Sequence, residues 1–249
     1  MSLLESWLNE QYLDPNYIND LVETMRAKPE IKYLVLDNFF KQEKIDQFIE
    51  EHKKLKFSEK LDMYDHEGKI LPYDSAVSFM QSNNYGYELL FSEEWFNYLS
   101  KLTSCPVNDN SFTEVKLRYH KADAKGFWIH TDSSERSIVF ICYFNKNWKV
   151  SDGGMLQLWR IDECECQDTL VVDGAMDHKM NYLNNSRLRT STPGGGFSDE
   201  KSHDLVLVDQ ILPIYNRVFI SNLRANPTFH SVTPSADKER TGFVQWIYN

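Results

Sequence analysis

Cysteine is scarce in this chain. Cys105, Cys142, Cys164 and Cys166 are the four among 249 residues, too few and too unevenly placed to frame a disulfide-stabilised secreted domain. Cys164-Glu165-Cys166 lacks the second cysteine pair that a four-ligand structural zinc site wants, so free thiols are expected. Long apolar runs are missing as well: no stretch reaches the roughly eighteen residues of a membrane span. Met1 to Trp7 has no basic region followed by an apolar one, as a secretory signal would. These absences lead to the expectation of a soluble, cytoplasmic protein without a membrane partner. Positive charge is in deficit, with 27 basic against 37 acidic residues and a formal net charge of −10. Such a surface repels a phosphate backbone and argues against nucleic acid as a partner. The local basic strip Lys53-Lys54-Leu55-Lys56 reads as a solvated helix face. No internal repeat or extended low-complexity tract is evident.

What is present begins with helical periodicity. Leu4, Trp7, Leu8, Tyr12, Ile18, Leu21, Val22 and Met25 recur between about Leu3 and Lys28, interrupted by Asp14-Pro15, so two short helices are expected. Ile31 to Phe40 reads as a buried strand. Gln42 to Lys56 and Glu93 to Leu102 show helical spacing again, on Ile45, Phe48, Ile49 and Leu55 and on Trp95, Phe96, Tyr98 and Leu99. These helices should pack against the outside of one sheet. The length accommodates one domain with a sizeable core. Residues 1–111 are expected to form a helix-rich support region and 112–249 a β-rich core that carries an insertion over 160–204.

The chemistry gathers in His130-Thr131-Asp132, His230 and Arg240. On a strand, side chains alternate, so His130 and Asp132 would share a face and Thr131 would point away. His230 lies in the β-prone run Asn226 to Thr233, with Pro227 and Pro234 as brackets, and could supply a third ligand from a facing strand. Two imidazoles and one carboxylate cap one face of an octahedral metal and leave the opposite face open, the ligand set of non-heme Fe(II) oxygenases. Arg240 opens another strand-like run that ends at Tyr248. An arginine facing the cavity there offers a planar fork of donors suited to the carboxylate of a co-substrate acid.

Further motifs carry a resemblance. Tyr143-Phe144-Asn145-Lys146-Asn147-Trp148, then Asp152-Gly153-Gly154-Met155-Leu156-Gln157-Leu158, then Arg240 with Trp246 six residues on, and Leu117-Arg118-Tyr119-His120 ahead of His130, together span about Phe112 to Asn249. In these the sequence resembles the 2-oxoglutarate/Fe(II) oxygenases, in their prolyl hydroxylase-like branch. The resemblance implies a mainly β fold with flanking helices, the double-stranded β-helix or distorted jelly roll. It implies that His130, Asp132 and His230 hold Fe(II), while Arg240 and the Tyr143 hydroxyl grip the distal carboxylate of 2-oxoglutarate. Tyr119 would line the pocket near the co-substrate, and Leu156 and Trp246 would form apolar walls that exclude water. Val244 departs from the pattern, because hydroxylases of the animal oxygen-sensing type have a polar residue at the matching position. Asp132 itself disfavours halogenation, since iron halogenases of this fold lack the carboxylate ligand.

The activity implied is hydroxylation of an unactivated carbon by O2, with decarboxylation of 2-oxoglutarate to succinate and with ascorbate as an accessory cofactor. The favoured substrate is a prolyl residue of a cytosolic protein. The same scaffold also hydroxylates free amino acids, sugars and small metabolites, and a non-catalytic 2-oxoglutarate/iron sensor is a further alternative. The oligomeric state stays open. Within the insertion, Pro193-Gly194-Gly195-Gly196 is expected to break regular structure, and a recognition loop or lid over the site is one reading of it. His178 and His203 lie there too, in no spacing that competes with the triad.

Overall fold

The structure, a computed structural model, describes the backbone of residues 1–57, 59–60, 63–64, 70–71, 75–124, 126–130, 132, 135–161, 190–192, 196–197, 205–225 and 229–249. Within these, the side chains of 59–60, 63–64, 70–71, 75, 128–130, 161, 190–192, 196–197 and 205 fall outside the description. Most of the 160–204 insertion therefore lies outside the described residues, with Cys164, Cys166, His178 and His203 in it, as do Thr131 and Pro227.

Helices form where the periodicity and the caps coincide. They are α1 (Leu3–Trp7), α2 (Pro15–Ala27), α3 (Gln42–Lys53), α4 (Tyr87–Leu90) and α5 (Glu93–Thr103). Asp14 separates the first two as expected: its carboxylate accepts from the backbone N–H groups of Asn16 and Tyr17, and Pro15 sits in the first turn, where no intrahelical N–H is needed. Ser92 caps α5 by accepting from the Trp95 N–H. No described helix is long and apolar enough to cross a membrane. Lys53 and Lys54 are exposed and pair with Glu50 and Glu51, a solvated helix face.

The strands are β1 (Tyr33–Leu36), β2 (Glu59–Lys60), β3 (Met63–Tyr64), β4 (Ile70–Leu71), β5 (Ser75–Phe79), β6 (Phe112–His120), β7 (Phe127–His130), β8 (Arg136–Tyr143), β9 (Leu156–Ile161), β10 (Thr190–Thr192), β11 (Gly196–Phe197), β12 (Leu205–Ile211), β13 (Arg217–Asn222), β14 (Phe229–Val232) and β15 (Arg240–Tyr248). β1 is shorter than the buried strand expected over Ile31 to Phe40. After Leu36 the chain turns, and Asn38 adopts a left-handed conformation at φ 52°. Gly196, expected in a break, closes a short ladder with Thr192.

Seven strands make one antiparallel sheet in the order β1-β13-β8-β15-β6-β5-β2, and four make a second in the order β12-β9-β14-β7. Residue parity sorts the apolar side chains of the large sheet onto two faces. Phe140, Cys142, Leu117, Phe243 and Ile247 point outward and pack with Phe40, Phe48, Trp95 and Leu99 of the helical region. Val139, Tyr143, Phe219, Val244 and Trp246 point inward against Leu156, Leu158 and Ile211 of the small sheet. Each fully buried aliphatic or aromatic side chain in these layers contributes about 1.5–3 kcal/mol. Two facing antiparallel sheets with helices outside one of them are a jelly roll with helical support. The inner cluster, between the sheets, includes Tyr143, Leu156 and Trp246.

Candidate active site

The small sheet brings the two histidines together. His130 ends β7 and stands directly across from His230 in the β7/β14 ladder. His230 is half-buried, on the same face of its strand as Val232, which packs on the inner cluster. His230, read from the sequence as a third ligand on a facing strand, lies instead on the neighbouring hydrogen-bonded strand of the same sheet. A second correction concerns spacing. β7 stops at His130, and Asp132 follows beyond the strand end, so it shares the site by its contacts and not by strand alternation. Among the described residues no group of three His, Cys, Asp or Glu side chains is gathered. The His130 side chain is outside the description, and the β7/β14 register sets its backbone beside that of His230.

Asp132 is held by two donors that the sequence reading missed or undervalued. The Arg136 guanidinium donates through Nη1 to Oδ1 at 2.5 Å, and the Trp246 indole N–H donates to Oδ2 at 3.1 Å. Trp246 is therefore more than an apolar wall. Arg136 lies over the Trp246 ring at 4.1 Å and also donates through Nε to the Tyr248 hydroxyl at 3.0 Å. Burial disfavours its charge, yet Asp132, Tyr248 and Glu114 hold its pKa above the ordinary value. A carboxylate fixed in this way presents its remaining lone pairs in one orientation, as a metal ligand must.

A second group of candidate side chains is held by β15, β8 and β6. Arg240, first residue of β15, is 8 % exposed, and its guanidinium carbon lies 5.2 Å from the centre of the Tyr143 ring. Its Nη1 donates to Nε2 of His120 at 3.0 Å. Burial, with the Arg240 and Arg118 charges, pushes the His120 pKa well below the ordinary value and keeps that nitrogen an acceptor. Two buried polar atoms here, the Tyr143 hydroxyl and Arg240 Nε, have no hydrogen-bond partner among the described residues. Unmet donors in an interior are rare and costly. Burial raises the Tyr143 phenol above its ordinary pKa, with Arg240 opposing, so it stays protonated and can donate. Two donors converging from a guanidinium and a phenol fit a carboxylate, and the distal carboxylate of 2-oxoglutarate meets that chemistry.

Tyr119 is not part of this group. Arg240 is paired with His120 in the β15/β6 register, which puts Tyr119 on the opposite face with Thr241. There Tyr119 stacks on Phe57 and donates to Glu239. The signal was in the sequence: Val115, Leu117 and Tyr119 share one parity, that of the helix-covered face, and His120 has the other. Leu156 and Val244 do line the inner cluster. Arg240 is further positioned by the turn before β9, because Gly154 (φ 63°) has space for no side chain: a Cβ there would come within 2.9 Å of Arg240 Cδ. Cys105 and Cys142 are buried free thiols whose pKa burial raises, remote from reactivity.

Comparison with known proteins bears on the family and the fold. Residues 107–191 match the model of the 2OG-Fe(II) oxygenase superfamily, a segment that contains His130, Asp132 and Tyr143 and ends before His230 and Arg240. A prolyl-4-hydroxylase of Pseudomonas putida superposes with a TM-score of 0.55 at 11% identity, over 93% of this chain and 98% of its own. HygX of Streptomyces hygroscopicus, solved with nickel and 2-oxoglutarate bound, gives 0.58 at 10% identity, over 92% and 86%. A prolyl hydroxylase of Trichoplax adhaerens, in complex with a hypoxia inducible factor oxygen degradation domain peptide fragment, gives 0.54 at 14% identity, over 94% and 89%. At such identities the likeness is one of fold. Comparison with the curated proteins returns no match. The family model thus covers residues 107–191, and the solved structures share the fold. The structural neighbours are of the prolyl 4-hydroxylase-like kind.

Proposed function

We propose that this protein hydroxylates a prolyl residue of a cytosolic protein, using Fe(II), 2-oxoglutarate and O2. The observation that carries the co-substrate is the pair of buried donors on Tyr143 and Arg240 that have no hydrogen-bond partner among the described residues. His130, Asp132 and His230 are the residues that would hold the metal. When bound, iron with 2-oxoglutarate supplies oxidative decarboxylation of the co-substrate and insertion of one oxygen atom into a C–H bond. The chain's own contributions are positional. His120 orients Arg240, and Arg240 with Tyr143 receives the distal carboxylate. Arg136 and Trp246 fix Asp132, while Leu156, Leu158 and Val244 exclude water from the space between the sheets. The prolyl assignment is supported by neighbours that are prolyl hydroxylases, one solved with a peptide.

The test is to incubate a cell extract with the protein, Fe(II) and 2-oxoglutarate in air and to search peptides and metabolites by mass spectrometry. A gain of one oxygen on specific prolyl residues, absent with Asp132→Ala, is the expected result. Oxygen gain on a small metabolite, with none on prolyl residues, would overturn the substrate assignment.

A further inference from the structure

Arg136 stands on the inner face because a strand ladder slips. β15 and β8 pair in register from Gly242 with Tyr143 to Ile247 with Ile138, and the next pair is Tyr248 with Arg136, so Ser137 is passed over. In an unbroken ladder Ser137 would continue the inward parity of Val139 and Tyr143, and Arg136 would face the helices. An extra residue on one strand re-aims the side chains beyond it. Here it brings Arg136 across from Tyr248 and against Asp132.

Each nitrogen of the Arg136 guanidinium meets a different neighbour. Nη1 donates to Asp132 Oδ1 at 2.5 Å, Nε donates to the Tyr248 hydroxyl at 3.0 Å, and Nη2 lies 3.9 Å from Glu114 Oε2. The group lies over the Trp246 ring, 4.1 Å from its centre. Tyr248 is itself fixed from two sides. Its hydroxyl donates to Glu114 Oε2 at 3.2 Å, and its ring stacks on Phe112 with centroids 4.4 Å apart and planes 6° from parallel. Burial raises its phenol above the ordinary pKa, against the pull of the Arg136 charge, so the hydroxyl keeps its proton for Glu114 and turns a lone pair to Arg136. Arg136 is 7 % exposed, and an Nε without an acceptor there would be costly. Without the hydroxyl, Glu114 would draw the guanidinium toward itself, and Asp132 would lose the donor that fixes Oδ1.

We infer that Tyr248 is a positioning residue for the metal: through Arg136 it sets the direction of the Asp132 carboxylate. The inference deepens the proposed function and rests on its assignment of Asp132 as a ligand. Its test titrates the full chain with Fe(II) under nitrogen, in competition with a chromophoric chelator. The absorption of bound Co(II), which reports the arrangement of the ligands, is recorded beside it. Tyr248→Phe keeps the stacked ring and removes only the hydroxyl oxygen. It is expected to weaken Fe(II) binding about tenfold, the low end of what losing a group that supports a ligand costs, and to change the Co(II) spectrum. Arg136→Gln should weaken binding at least as much. Tyr248→Phe added to Arg136→Gln should then cost little more, because the residue it acts through is gone. Unchanged Fe(II) affinity or an unchanged Co(II) spectrum in Tyr248→Phe overturns the inference, and that comparison needs no second variant. The same loss repeated in full in the Arg136→Gln background overturns it too, since Tyr248 would then act by another route. A parent protein that binds no Fe(II) sinks the proposed function itself, whereas a parent and a Tyr248→Phe variant that bind it equally sink this inference alone.

Discussion

A buried arginine whose Nε is unmet among the described residues, next to a buried phenol whose hydroxyl is likewise unmet among them, is a costly arrangement unless a ligand completes it. This makes Arg240 and Tyr143 unequal in effect. Arg240→Ala removes the charged partner and should weaken 2-oxoglutarate binding by about 2–5 kcal/mol, while Tyr143→Phe removes one hydroxyl and keeps the packed ring, for about 0.5–1.5 kcal/mol. Calorimetric titration of both variants checks the order, and equal losses would remove the distinction between charge and hydroxyl. Arg240, Tyr143 and Trp246 were legible in the sequence because their spacing follows the strand motifs. His120 and Arg136 were not: each acts by holding another side chain, and such support shows only once the partner's position is known.

At the scale of elements, the turn Gly153-Gly154 ties three segments to the site. A Cβ at Gly153 (φ 68°) would lie 2.0 Å from the Pro234 carbonyl oxygen, and one at Gly154 would press on Arg240. Gly153→Ala should therefore destabilise the fold by about 1–3 kcal/mol from backbone strain alone, and more from the clash, in denaturant unfolding. Gly154→Ala should in addition weaken 2-oxoglutarate binding. If Gly154→Ala binds 2-oxoglutarate like the parent, Arg240 is not positioned by this turn. α3 is docked on β6 by His52, 4 % exposed, whose Nε2 meets the Arg118 carbonyl at 3.0 Å. Burial lowers its pKa from 6.5 to about 4, against the backbone hydrogen bonds that raise it. The unfolded chain then takes up a proton that the folded one refuses, so this stability is full above 6.5 and is lost as pH falls toward 4. The loss is about 3 kcal/mol across that window, and His52→Gln should flatten the difference in stability between pH 7 and pH 4.5. An unchanged slope would show that His52 is protonated in the fold.

The helices α2, α3 and α5 and the strand β15 were readable from periodicity, whereas β1 came out shorter and β7 ended one ligand early. Periodicity reports which face is buried. It does not report strand ends, which depend on turns such as the one at Asn38, nor sheet neighbours, so His230 could be placed near His130 but not beside it.

For the whole molecule, a ligand that binds only the folded chain stabilises it by mass action. Fe(II) and 2-oxoglutarate at about a hundred times their dissociation constants should each add about 2.7 kcal/mol, or about 5–10 °C in Tm for a chain of this size. Asp132→Ala should lose the shift caused by Fe(II), and anaerobic thermal denaturation reads it directly. The central claim joins the triad to the carboxylate anchor in one catalytic site. Its most direct test is succinate formation from 2-oxoglutarate, with Fe(II) and O2, by the parent, Asp132→Ala and Arg240→Ala, each first shown to be folded. The parent should form succinate only when Fe(II) and O2 are both present, Asp132→Ala should form none, and Arg240→Ala should need far more 2-oxoglutarate to reach the same rate. Succinate formation unaffected by either substitution would contradict the site described for this protein.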